Sequence, residues 1–170
     1  MNKRWPRRIF NRILHLFARV LPGAKSLRPF LHRMRGVKIY GKVFIGDDVY
    51  LENEFPECVE IHDGALIGLR STIIAHTRKA GKIIIGKQAV ITAGCLIVCA
   101  QDKTLTIGEG AVISAGSTVS NDIPPFTLCG APRIKAYAKI TVPFTLEMEH
   151  EEFTRGLRPI RTPKKEGKVF

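Results

Sequence analysis

The sequence predicts a parallel β-helix built from hexapeptide repeats. Two observations support this. An isoleucine, leucine or valine recurs every six residues in four runs, and a small or branched side chain follows many of them four residues later. Neither an α-helix nor an ordinary strand pair repeats at six, whereas stacked coils do. The first series is Ile39, Ile45, Leu51, Ile61, Ile67, Ile73, Ile85, Ile91, Ile97, Ile107, Ile113 and Val119; the second is Val49, Ala65, Ser71, Ala89, Cys95, Ala111 and Ser117.

The chain of 170 residues is long enough for one main domain with a sizeable core. The repeats occupy roughly residues 37–124. We therefore predict a basic amphipathic segment over residues 1–36, a β-helix domain over residues 37–136, and a C-terminal extension with a basic tail over residues 137–170.

Positive charge is concentrated at the N-terminus. Residues 1–38 hold eleven lysines and arginines and no acidic residue, which leaves about +1 of the net charge of +12 for the rest of the chain. Apolar residues recur there at three- and four-residue steps, which predicts an amphipathic helix over residues 7–21, broken by Pro22-Gly23. This helix is too short and too charged to span a membrane.

Two uses of that helix stay open from the sequence. It can cap the open end of the coil stack, where terminal repeats need covering. It can also lie on an anionic lipid surface, which gives a peripheral membrane contact through residues 1–22. Nucleic-acid binding is not expected, because no recognition motif accompanies the charge.

The four cysteines favour a reducing compartment. They form no C-x-x-C pair and no disulfide framework, and Cys95 falls on an inward position where a thiol acts as a small hydrophobe. We therefore expect a cytoplasmic protein, with the inner face of the cell membrane as the site of any peripheral contact.

Three hexads make one triangular turn of about eighteen residues. Glycine beside the inward residue permits a corner, either because a side chain would clash or because φ is unusual. The corner glycines are Gly46, Gly68, Gly86 and Gly108.

The repeat breaks at three places, which predicts loops at residues 54–57, 101–103 and 76–82. His76 opens the third loop, and a histidine where a coil gives way to a loop is well placed for chemistry. His62 occupies a corner and is predicted to be structural. The remaining histidines, His15, His32 and His150, have no catalytic context.

Four segments of the chain closely resemble the hexapeptide-repeat acetyltransferases, and most nearly those that O-acetylate polysaccharides and sugars. The asparagine-led segment followed by Gly-x-Pro is the specific part, since hexads alone also occur in unrelated proteins. The resemblance covers roughly residues 37–136. The matching segments are Leu66–His76, Ile85–Ile91, Ile113–Pro125 (with Asn121-Asp122-Ile123-Pro124-Pro125) and Gly130-Ala131-Pro132.

The resemblance implies a left-handed parallel β-helix, an exception to the usual right-handed crossover, and a homotrimer with active sites between subunits. It implies acetyl-CoA as the acyl donor, no metal, and a saccharide hydroxyl as the acceptor. The family's general base matches His76. Imidazole suits that role because its pKa is near neutrality, so that it can take a proton as a weak hydroxyl nucleophile attacks.

Other site residues carry over from the same resemblance. Glu52 and Asn53 match the region that binds the acceptor; either can instead orient His76, or the two can form a solvated corner without a role in the site. The cofactor-binding set flanks the thioester, the pantetheine and the phosphates of CoA. Its members are Ala93, Gly94, Ala115, Ser120, Asn121, Arg133 and Lys135.

Two other functions fit the same repeats. A γ-carbonic-anhydrase-like metal hydratase would need three histidines around zinc, and the coils hold only His62 and His76. A non-catalytic β-helix scaffold would need no site at all. The identity of the acceptor, and the choice between oxygen and nitrogen as its nucleophile, lie beyond the sequence.

Overall fold

The structure is a computed structural model that describes residues 5–76, 79–131, 136, 138–143, 145 and 149–160. The chain forms two compact units, Met1–Ala131 and Pro132–Phe170. The first unit contains both the N-terminal helices and the coils. The segment boundaries predicted at residues 36 and 136 stay predictions.

The first unit winds four times around one core, with three short strands in each coil. The first coil holds β1 (Lys38–Ile39), β2 (Phe44–Ile45) and β3 (Tyr50–Leu51), and the second holds β4 (Val59–Ile61), β5 (Leu66–Ile67) and β6 (Thr72–Ile74). The third holds β7 (Lys82–Ile85), β8 (Val90–Ile91) and β9 (Leu96–Val98). The fourth holds β10 (Thr104–Ile107), β11 (Val112–Ile113) and β12 (Thr118–Val119), and β13 (Leu128–Cys129) follows it.

Equivalent strands of successive coils pair in parallel and form the three faces of a triangular prism. The first face is β1-β4-β7-β10, the second β2-β5-β8-β11-β13 and the third β3-β6-β9-β12. The register aligns equivalent hexad positions, so that Ile45 pairs with Ile67 and Ile67 with Ile91. The predicted fold class, an all-β repeat forming a left-handed parallel β-helix, is confirmed.

The core of the first unit consists of the residues that the six-residue period predicts. Every member of the first series from Ile45 onward is buried, and Ile39 is partly buried against the same cluster. All seven members of the second series are buried as well. The period thus predicts the inward direction of each hexad because every coil can bury its apolar side chains only against its neighbours.

Shortening one stacked side chain should destabilise the whole unit. Ile91 is fully buried between the strands of the second and fourth coils. We expect Ile91→Ala to lower the free energy of unfolding by about 2–5 kcal/mol, because the coils relax only partly around the cavity. Leu69→Ala is the control: Leu69 is half-exposed, and its effect should stay within about 0.5 kcal/mol. Urea unfolding measures both, and equal effects would contradict the stacked core.

Close backbone approach explains the corner glycines. A Cβ on Gly68 would lie 2.5 Å from the carbonyl carbon of Thr92 and 2.7 Å from the amide nitrogen of Ala93. Gly46, Gly86 and Gly108 meet the backbone of the next turn in the same way. None of the four has a positive φ. Glycine is therefore required at these four corners because a side chain would clash, and not because φ is unusual.

Two helices cover the first coil. The helix α1 spans Trp5–Val20 and α2 spans Leu27–Arg35, which ends at Gly36 in the left-handed conformation. The amide of Ile45 donates to Ala24 O at 2.8 Å, and Arg28 Nη1 donates to Ile45 O at 3.1 Å. The predicted helix over residues 7–21 is confirmed, and the pair has the position expected of a cap.

Irregular backbone lies at the predicted breaks. A short 3-10 helix, Pro56–Cys58, follows the first coil, and Asp102 takes a positive φ in the turn between β9 and β10. In the third loop, His76 and Ala80 form an antiparallel bridge before β7 begins. The free thiols of Cys95 and Cys99 are buried in the core, as predicted for Cys95.

The second unit is small. Its described part holds an antiparallel pair, β14 (Ala138–Ile140) with β15 (Leu157–Pro159), joined through the helix α3 (His150–Arg155). The hydroxyl of Thr141 donates to Gly156 O at 2.7 Å and closes this hairpin-like arrangement. Residues 161–170, the basic tail of the predicted extension, lie outside the described residues.

Candidate active site

His76 lies at the end of the third face, directly after β6, where the second coil ends. Its ring meets Phe55 edge-on, with ring centroids 5.7 Å apart. The side chain is 28% exposed, which leaves one edge of the imidazole open. The predicted base is therefore accessible while its ring is held by neighbours.

Glu52 lies in the coil that precedes His76 and contacts the imidazole ring at Nδ1. Its Oε2 is 2.7 Å from His76 Nδ1 and also accepts the amide hydrogen of Ala75 at 2.8 Å. Its Oε1 accepts the amides of Glu54 and Phe55 at 2.8 and 3.1 Å. The side chain is completely buried. Backbone amides thus hold both carboxylate oxygens in place as acceptors.

This arrangement assigns the tautomer of His76. A carboxylate oxygen that already accepts an amide hydrogen acts toward Nδ1 as an acceptor, so Nδ1 carries the ring proton. Nε2 is then the basic nitrogen. A buried carboxylate that fixes the tautomer and orientation of a half-open imidazole is the arrangement required of a general base.

A buried arginine supports the backbone around Glu52. Arg35 Nη2 donates to the carbonyl oxygens of Leu51 and Glu52 at 3.2 and 2.8 Å and to Asn53 Oδ1 at 3.2 Å. Its Nη1 lies 2.9 Å from His32 Nδ1. Burial lowers the pKa of Arg35 to about 10, and the nearby Tyr50 and Glu52 oppose that shift. The end of α2 thus tethers the segment that carries Glu52.

Two histidines of the helix pair adjoin this arginine. His15 contacts the ring of Tyr50 edge-on at 4.7 Å and lies 6.1 Å from the ring of His32. Burial, followed by the charge of Arg35, lowers the pKa of His15 to about 3 and that of His32 well below its ordinary value. Both rings are therefore neutral in the folded protein at neutral pH.

These depressed pKa values predict acid sensitivity. Below about pH 6.5 the unfolded chain protonates His15 and His32, whereas the folded chain does not, so the free energy of unfolding falls with pH. We expect a loss of about 2–3 kcal/mol between pH 7.5 and pH 5.5 from the two rings. Urea unfolding at both pH values measures it. His32→Gln should reduce this pH dependence by about half, and an unchanged dependence would contradict the assignment.

His76 opens into a cavity of about 660 Å³. Its other lining residues lie along the third face and at the end of α1, and most of them are polar. Arg19 Nε donates to Asp48 Oδ1 at 2.8 Å across one side of the cavity. The described residues that line the cavity are Arg19, Asp48, Tyr50, Arg70, Thr72, Ile74 and His76.

The predicted acceptor-binding residues lie behind His76. Neither Glu52 nor Asn53 is among the described residues that line the cavity. Glu52 is fully enclosed, and the side chain of Asn53 bonds Arg35 and His15. This arrangement supports the alternative that Glu52 orients His76, and it gives no support to direct acceptor contact.

Three of the predicted cofactor-binding residues meet at one edge of the prism. Ala93 and Gly94 form the corner between β8 and β9, and Ala115 forms the corresponding corner one coil on. The two corners are bonded, since the amide of Gly116 donates to Ala93 O at 3.0 Å. A Cβ on Gly94 or Gly116 would meet nothing within 4 Å. The open edge with small side chains fits a slender chain such as pantetheine.

Of the four remaining predicted cofactor-binding residues, the structure describes two. Ser120 and Asn121 line a separate cavity of about 230 Å³ together with Cys99 and Lys103. No described residue lines both this cavity and the His76 cavity. Arg133 and Lys135 lie outside the described residues.

The residues that the helix pair contributes were not predicted. Arg35 donates to the backbone of Glu52, His32 contacts Arg35, His15 lies beside His32, and Arg19 lines the cavity. In the sequence they are ordinary members of a basic segment, and no spacing relates them to the hexads. His62, which the sequence predicts to be structural, stacks on Tyr40 at 5.1 Å and lies 3.1 Å from Glu60 Oε1.

Among the described residues, no group of three or more His, Cys, Asp or Glu side chains is placed to hold a metal ion. The hydratase interpretation therefore gains no support. No helix among those residues has both the length and the apolar composition required to cross a membrane.

Comparison with known proteins gives one informative relative. No family model matches the sequence. The curated protein named "Putative acetyltransferase YvoF", from Bacillus subtilis (strain 168), is 35% identical to this chain over 81 residues. The match covers 45% of this chain and 45% of the relative, so it spans less than half of the relative's length. The name of that relative agrees with acetyl transfer and says nothing of a saccharide.

Proposed function

We propose that this protein is an acetyl-CoA-dependent O-acetyltransferase that acetylates a hydroxyl of a saccharide, with His76 as general base and Glu52 as its positioning residue. One observation carries the proposal: the 2.7 Å contact between Glu52 Oε2 and His76 Nδ1, made by a fully buried carboxylate beside a cavity that mostly polar residues line. The likeness to a protein named as an acetyltransferase supports the reaction class.

In this mechanism His76 Nε2 takes the proton of the acceptor hydroxyl. The hydroxyl oxygen forms a bond to the carbonyl carbon of the acetyl thioester, and the carbon–sulfur bond breaks. The sulfur leaves with the electron pair of that bond and receives the proton from the imidazolium. Glu52 stabilises the imidazolium that exists between these transfers. No oxidant or metal enters the balance.

The cavity is suited to a polyhydroxylated acceptor. Asp48 offers a hydrogen-bond acceptor, Thr72 and Tyr50 offer hydroxyl groups, and Arg70 offers donors. Polar groups that converge on a histidine can fix the orientation of a sugar ring. The saccharide class and the homotrimer rest on the resemblance in sequence, with the cavity as support for the first.

The test is acceptor-dependent release of CoA thiol. The protein is incubated with acetyl-CoA and a panel of saccharides and sugar precursors, and thiol is followed with a colorimetric reagent. We expect thiol release that depends on the acceptor and equals the amount of O-acetyl ester found by mass spectrometry. Acetylation of amino sugars alone at nitrogen would refute oxygen as the acceptor atom.

A non-catalytic scaffold gives a different result. It would show no binding of acetyl-CoA by calorimetry and no thiol release with any acceptor. Binding of acetyl-CoA without turnover across the panel would show that the acceptor lies outside it, and binding with hydrolysis alone would argue against the saccharide as substrate. Sedimentation at equilibrium measures the proposed trimer independently of activity.

A further inference from the structure

The helix α1 packs with its apolar side facing outward. An ordinary amphipathic helix buries its apolar face against the core. In α1 the buried residues are Asn11, Leu14, His15 and Ala18, two of them polar. Six large apolar side chains on the other side are 46–72% exposed: Ile9, Phe10, Ile13, Leu16, Phe17 and Val20.

These six side chains form one stripe. At about 100° per residue they fall within about 120° of the helix circumference, centred on Ile13. The neighbouring α2 repeats the arrangement, since Leu27, Phe30 and Met34 lie on one face and are 37–53% exposed. The helices meet through a separate small cluster that includes Leu14, Ala18 and Leu31. Packing of the pair therefore leaves both outer apolar faces uncovered.

The charged side chains on the two helices themselves are all basic. Residues 1–38 contain no acidic residue. The cations Arg8 and Arg12 lie along one side of the stripe and remain 51% and 68% exposed, even though both approach Glu54 of the first coil, at 3.7 and 3.3 Å. Arg33 on α2 is exposed as well. Apolar side chains bordered by cations match the acyl chains and headgroups of an anionic lipid surface.

A second copy of the chain is a poorer match for the same surface. If the face packed against its own equivalent, each set of cations would meet another set of cations, and like charges across an interface oppose association. An anionic lipid surface instead places negatively charged headgroups next to these cations. The positive charge of the helices therefore favours an anionic lipid surface over a second copy of the chain.

We propose that the outward faces of α1 and α2 form a docking surface for an anionic lipid bilayer, with α1 lying in the plane of the interface. The proposal goes beyond acetyl transfer and does not depend on it. It also has a consequence for the site: α1 contributes Arg19 to the His76 cavity, so docking holds that cavity close to the membrane.

Vesicle flotation tests the proposal with the full chain. Vesicles contain phosphatidylcholine alone or phosphatidylcholine with phosphatidylglycerol. We expect the protein to float with the anionic vesicles, with recovery that falls as salt rises because the charges are screened. The paired substitutions Ile13→Glu and Phe17→Glu should lower recovery at least tenfold. The control is Leu69→Glu, a half-exposed apolar residue of the coils, which should float like the native chain.

The variants are checked by circular dichroism and thermal unfolding, and Ile9→Ser with Leu16→Ser serves as a milder second pair. The proposal is overturned if the native chain stays with the soluble fraction, or if folded variants of either pair float unchanged. Sedimentation provides a third outcome. If both pairs reduce the oligomer size and no form binds vesicles, the face is a contact between copies and the lipid proposal fails.

Discussion

Replacing His76 by alanine should lower kcat by about 10²–10⁴-fold and leave the fold intact. The expected loss is the usual contribution of a positioned general base. Residual turnover should remain, because the binding of donor and acceptor does not require the imidazole. The ring is part-exposed, and its polar contact runs to Glu52, so the stability change should be small. Thiol release at saturating acetyl-CoA measures kcat.

The chain itself supplies a matched control for this substitution. His62 also lies on a coil, also pairs with a glutamate and is part-exposed, but it is absent from the cavity lining. His62→Ala should therefore keep native turnover. If His76→Ala also keeps native turnover, His76 is not the base and the mechanism proposed for this site is wrong.

Glu52→Gln should have the second largest effect. A glutamine side chain has one acceptor oxygen, whereas the two oxygens of Glu52 face four N–H groups. Each oxygen faces two of these groups, so two N–H groups must then face the new amide NH₂. If one of them is His76 Nδ1–H, the ring loses the tautomer that leaves Nε2 basic. We expect kcat to fall on the order of 10²-fold or more while KM changes little.

The stability of Glu52 variants provides a separate measurement. Glu52→Ala removes the acceptors of the Glu54, Phe55 and Ala75 amides and the negative charge that opposes the effect of burial on the pKa of Arg35. We expect a loss of about 3–5 kcal/mol in the free energy of unfolding. Glu60→Gln is the control, because Glu60 pairs with His62 and Lys82 on the outside of the first face. Equal losses from Glu52→Ala and Glu60→Gln would contradict the buried network.

The hexads predicted the coils because the six-residue period sets both the inward direction of each side chain and the register in which equivalent strands pair. Once Ile45, Ile67 and Ile91 are aligned, the parallel register and the buried second series follow. The same register places Glu52 beneath the segment that leads to His76, since the Glu52 amide donates to Ile73 O. Glu52 was therefore recognisable in the sequence. It directly follows the inward Leu51 and lies one coil before His76, which opens a loop.

The contribution of the helices could not be predicted in the same way. The sequence shows that α1 is amphipathic, but it does not show which side meets the coils. Asn11 and His15 are both buried. His15 faces inward against Tyr50, His32 and Asn53 of neighbouring elements. Such contacts join segments without a common period. Arg35 in particular differs from the exposed arginines only through its tertiary surroundings.

A double-mutant cycle on kcat tests directly whether Glu52 positions His76 as the general base. It uses His76→Ala, Glu52→Gln and the two substitutions combined. If Glu52 acts through His76, the double variant should be no slower than His76→Ala alone, since the carboxylate has no ring left to orient. The parallel cycle on His62 and Glu60 should show no effect. Losses that multiply between His76 and Glu52 would mean that the two residues act independently, and would contradict the account.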